Sequence, residues 1–102
     1  MDRNDGKLMK IPRKIKVGAY TYIVKRKKTI KEDNQELLGL CDRGAHLIYI
    51  VKDLSDKKAK EVLLHECLHA IEESYGINLG ENKVNLLGLA LLALIDDNKL
   101  EF

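Results

Sequence analysis

The 102-residue sequence is poor in the residues that define several classes of small protein: it has two cysteines, three histidines, one proline and no tryptophan. Cys41 and Cys67 cannot build the disulfide framework of a small secreted scaffold, and they fall in expected strand and helix-core positions, as reduced buried thiols do. The apolar run from Val84 to Ile95 is too short and too interrupted to span a bilayer. No signal-peptide pattern opens the chain, whose first ten residues are polar and basic and read as a flexible arm. There is no internal repeat, linker or low-complexity tract. These absences predict a single cytoplasmic domain over residues 1–102. What is present, 45% hydrophobic and 33% charged residues, describes a folded chain with one modest core.

Charge is divided along the chain. Residues 1–31 carry 11 Lys and Arg against two Asp, and residues 32–102 carry seven against 14, giving the net +2. Such asymmetry can mark a nucleic-acid surface. Lys14 and Lys16, however, alternate with apolar residues as on the wet face of a strand. Lys25-Arg26-Lys27-Lys28 suits an edge guarded against pairing, and no nucleic-acid-binding motif accompanies it. The preferred reading is a solvated face, not a nucleic-acid partner.

The pattern His65-Glu66-Cys67-Leu68-His69 is an HExxH sequence inside a helical stretch. Residues four apart lie above one another on a helix, so two imidazoles at this spacing can place nitrogens on one metal ion. Glu66, one step round, suits a general base acting on water that the metal activates. Asp53 or Ser55 can cap the helix start, and Gly76 offers a left-handed stop after Tyr75. At ~100° per residue, Glu66, Glu72 and Glu73 flank the two histidines, while Leu63, Leu64, Cys67, Leu68, Ala70 and Ile71 fill the opposite side. The wheel predicts a buried helix with one working face turned to a cleft.

A catalytic zinc site takes three protein ligands and an open position. Glu73 is one turn too far along to share a metal with His65 and His69, Glu72 has a similar problem of direction, and Cys67 points to the apolar back. Glu81 opens a second helical stretch, to about Asp96, after Gly76-Ile77-Asn78-Leu79-Gly80. A tight turn would fold that helix back and bring Glu81 to the motif. A plain helix-start carboxylate is the equal alternative on spacing alone.

Leu63-Leu64-His65-Glu66-Cys67-Leu68-His69-Ala70-Ile71, followed by Glu81 and a helix ending Asp97-Asn98, resembles the small phage- and prophage-associated metallopeptidases. These are related to the ImmA/IrrE-type group of gluzincin zincins. The resemblance extends loosely to Val17-Gly18-Ala19-Tyr20-Thr21-Tyr22 and Leu38-Gly39-Leu40-Cys41-Asp42. It implies zinc held by His65, His69 and Glu81, with Glu66 as the catalytic base. It also implies a peptide or protein substrate, with limited cleavage of a regulatory protein as the expected role.

Upstream of the motif the chain reads as strands: Lys14 to Val17, Tyr20 to Lys25, Leu37 to Cys41 and His46 to Val51, with Lys27 to Glu36 as a loop. The expectation is an α+β domain, a small antiparallel sheet of about four strands with two helices packed on it. In zincins an edge strand holds the substrate, and His46 to Val51, next to the motif helix, is the expected one. His46 is either an oxyanion contact or a solvated residue, and Asn85 either a hydrogen bond to Glu81 or exposed. The all-round apolar Val84–Ile95 helix needs cover that a homodimer through it, or a larger partner, would supply. The competing functional reading is a non-catalytic interaction or regulatory module of phage origin, in which zinc serves stability.

Overall fold

The computed structural model describes residues 11–100, which form six strands and two helices. β1 (Lys14–Val17) and β2 (Tyr20–Lys27) make an antiparallel hairpin through Gly18, which takes a left-handed φ of 60°. β3 (Ile30–Glu32) and β4 (Gln35–Leu37) pair as a separate two-stranded sheet. β5 (Gly39–Asp42), β6 (Leu47–Val51), α1 (Asp56–Tyr75) and α2 (Glu81–Asn98) complete the order. The expectation for residues 1–10, a flexible arm, lies outside the described residues.

The α+β class is the one expected, but the sheet is mixed rather than antiparallel. Its order is β1-β2-β6-β5, and β2 pairs with β6 in parallel, Ile23 opposite Leu47 and Lys27 opposite Val51. The chain leaves β2, passes through the β3–β4 hairpin and returns as β5 at the far edge. β6, antiparallel to β5, therefore enters between them running the same way as β2. The Arg26 guanidinium fastens the parallel pair by donating to the carbonyls of Val51 and Lys52, both at 3.0 Å.

The segment expected as a loop, Lys27 to Glu36, contains the β3–β4 hairpin. Asp33 and Asn34 take φ of 52° and 64°, the two-residue turn that short polar side chains tolerate. Its strands are three residues each and mostly polar, so no alternation marked them.

One face of the sheet and one face of α1 make the core. Val17, Tyr22, Val24, Ile48 and Ile50, two apart along their strands, meet Val62, Leu63, Cys67 and Ala70, spaced three and four apart on the helix. Ser55 caps α1 by accepting from Lys58 N–H at 3.2 Å, and Gly76 ends it in the left-handed region. Gly18 also allows close approach: a Cβ there would lie 2.8 Å from the Cβ of Ser74. Ser74 Oγ donates to the Val17 carbonyl at 3.1 Å, so the β1–β2 hairpin and the end of α1 lock together. No described helix is long and apolar enough to cross a membrane.

Candidate metal centre

α1 carries the two motif histidines on one face, with ring centroids 5.0 Å apart. The five-residue turn after it returns α2 alongside, with the buried Gly88 facing the His65 backbone. This packing delivers Glu81, in the first turn of α2, to the motif. Glu81 Oε2 lies 2.9 Å from His65 Nε2, and Oε1 lies 2.9 Å from His69 Nε2. The three donor atoms lie within 4.8 Å of one another. Glu81 opens a helix, where a carboxylate is favoured, and it stands against both imidazoles.

Glu72 shapes the site from behind. Its Oε1 is 2.8 Å from His69 Nδ1, and its Oε2 accepts from the Leu79 backbone N–H at 2.8 Å. The Leu79 N–H, then His69, hold this buried carboxyl below the usual carboxylate range. A carboxylate only accepts, so Nδ1–H donates to Glu72, and Nε2 is left as the ring atom that faces Glu81 Oε1.

Glu66 is only 7% exposed and lies against β5. Gly39 makes that approach possible, because a Cβ there would stand 2.4 Å from Val62 Cγ1 and 3.1 Å from Glu66 Oε2. Burial, against the opposing charge of His69 and with the help of Glu81 and Glu32, pushes the Glu66 carboxyl up to about 7. Burial likewise raises the thiols of Cys41, to about 12, and Cys67, to about 11, so both are inert at neutral pH. A cleft of about 230 Å³ opens beside His65 and Glu66, with Leu37, Leu38, Val62 and Leu89 in its wall. A second hollow on the other flank carries Arg43 and Cys41 together with His65, Glu66, His69 and Glu81.

Other expected site residues fall elsewhere. Asn85 lines the cleft, but among the described residues no hydrogen bond joins it to Glu81. His46 is not in the strand; it ends the β5–β6 turn with a φ of 57° and stacks on Tyr20 at 4.3 Å. Neither hollow at the site has His46 in its wall. β6 is not an edge, since β2 and β5 pair with its two sides. The edge beside the motif helix is β5. Val51 N–H donates to the Leu38 carbonyl at 3.0 Å, so the alternation of an antiparallel ladder turns the backbone groups of Gly39 and Cys41 outward.

Sequence reasoning missed Glu72 as the partner of His69 and Gly39 as the gap that admits Glu66. Glu72 was readable as the i+3 neighbour of a motif histidine. Gly39 carried no comparable signal, because its role depends on which strand meets α1.

The donor set fits a divalent zinc-type ion. Two imidazole nitrogens and one carboxylate, with a carboxylate behind one ring, are the ligand types such a site uses. No family model, no curated protein and no solved structure matches the chain.

Proposed function

We propose that the protein is a zinc-dependent metallopeptidase. The observation that carries this reading is the convergence of His65 Nε2, His69 Nε2 and the Glu81 carboxylate beside a buried carboxyl, Glu66, in one hollow. Zinc, when bound, supplies a Lewis acid that polarises the scissile carbonyl and acidifies water. Glu66 takes the proton from the attacking water and passes it to the leaving amine. The Glu66 carboxyl lines the same hollow as His65, His69 and Glu81, within reach of a water held there. Glu72 fixes the His69 ring so that Nε2 remains the ligating atom.

The substrate is an extended peptide. The outward N–H and C=O groups of Gly39 and Cys41 offer it a strand to pair with, and Leu37, Leu38, Val62 and Leu89 favour an apolar side chain next to the cleaved bond. Limited cleavage of a regulatory protein is the role proposed, and two unpaired cysteines accord with a cytoplasmic setting.

A second reading has its own observation. α2 packs principally on α1, and Glu81 joins both motif histidines, so a metal there would staple the second helix in place without any catalysis. Zinc content per chain, then cleavage of unstructured peptides by wild type and Glu66→Gln, separates the two. A peptidase cleaves and loses that activity in Glu66→Gln while keeping zinc. Zinc-loaded protein that cleaves nothing supports the staple.

A further inference from the structure

α2 is apolar on nearly every side, yet only one stripe of it is covered. Val84, Gly88 and Leu92 are buried, whereas Leu86, Leu87 and Leu94 are 65%, 40% and 51% exposed. At about 100° per residue, Leu86, Ala90, Ala93 and Leu94 lie on the side away from Gly88, between Lys83 at one end and Asp97 at the other. Glu81, Asn85 and Leu89, which line the cleft, lie closer to the buried stripe. The outer face is thus separate from the metal centre.

The charges on this face are placed badly for a lone helix. Lys83 stands in the first turn, where the helix dipole is positive. Asp96 and Asp97 stand in the last, where it is negative and no basic residue offsets them. Among the described residues none of the three forms an ion pair. A second α2 laid antiparallel on the first reverses both faults at once.

We propose that the chain pairs with a second copy of itself through the outer faces of α2, antiparallel about a two-fold axis at Ala90. Lys83 and Asp97 are each seven residues from Ala90, about 10 Å along the helix. Lys83 of one copy therefore faces Asp97 of the other. Leu86 and Leu94, each four residues from the centre, meet in the same way. Ala90 and Ala93 let the axes approach to about 8 Å. The contact is isologous, so it closes at two copies. A single helix face about 27 Å long buries less than the ~800 Å² per partner of a standard interface. The dimer is accordingly weak, with a dissociation constant on the order of 10–100 µM.

Sedimentation velocity on the full chain, metal-free and zinc-loaded, from about 5 µM to about 500 µM tests this directly. Wild type should pass from monomer to dimer, and the double variant Leu86→Glu, Leu94→Glu should stay monomeric. Lys83→Asp should weaken association at least about tenfold, and adding Asp97→Lys to the same chain should restore it. All four positions are exposed, and the charge pair tests the register without removing apolar surface. A monomer at every concentration overturns the proposal. So does a dimer that survives the leucine changes, or a Lys83→Asp defect that Asp97→Lys leaves uncorrected.

Discussion

Replacing Glu66 by glutamine should stabilise the metal-free protein at alkaline pH and change it little in acid. Below about 4.5 the carboxyl is protonated in folded and unfolded chains alike. As pH rises the unfolded chain ionises first, near 4.5, while the folded chain keeps its proton to about 7. Native stability therefore falls across that window, and the full cost is reached above it. Each tenfold change in proton affinity is worth ~1.36 kcal/mol, so a carboxyl moved from 4.5 to about 7 costs about 3 kcal/mol. Glutamine keeps the shape and has no charge to desolvate. Urea unfolding of both proteins with a chelator should show a difference under about 1 kcal/mol at pH 5 and about 3 kcal/mol at pH 8.5. The larger value moves the midpoint by at least about 1 M. With zinc bound, the nearby divalent charge should draw Glu66 back towards the ordinary carboxylate range and shrink the difference. Equal stability differences at the two pH values would refute the idea that burial holds this proton.

Zinc at a thousand times its dissociation constant should stabilise wild type by about 4 kcal/mol, and Glu81→Ala should lose most of that gain in thermal unfolding. Identical zinc stabilisation in both would remove Glu81 from the ligand set. Glu72→Gln should weaken zinc binding by roughly 10–100-fold in a competition titration. Because the Glu72 pKa is lowered in the fold, its contribution is present above its ordinary pKa and lost as pH falls through the lowered value. The variant should thus be less stable than wild type at pH 7 and converge with it in strong acid. Gly39→Ala puts a methyl 2.4 Å from Val62 Cγ1 and should cost roughly 1–3 kcal/mol in denaturant unfolding. Tyr22 is fully buried with its hydroxyl unpartnered, so Tyr22→Phe should be neutral or stabilising by up to about 1 kcal/mol. A clear loss of stability there would mean that the hydroxyl has a partner.

Most of the helical half was legible in advance. Ser55, Gly76 and the apolar spacing of Val62, Leu63, Cys67 and Ala70 bound α1, and the Gly76–Gly80 break returned Glu81 to the histidines. These are local signals, written within a turn or two of the residues they govern. The sheet was less legible, since the parallel pairing of β2 with β6 joins segments more than twenty residues apart and depends on where β5 lies. Asp33 and Asn34 were a turn signal overlooked between two polar strands. The misplacement of His46 has a related cause: its left-handed φ belongs to the turn that Asp42 stabilises by accepting from Ala45 N–H at 3.0 Å.

One carboxylate ties two otherwise separate parts of the molecule together. Glu72 holds the His69 ring with one oxygen and the interhelical turn at Leu79 with the other, so the orientation of that imidazole and the seat of α2 share a support. Whatever favours the seated helix therefore favours this orientation of the His69 ring, and thermodynamic reciprocity makes the converse hold by the same factor.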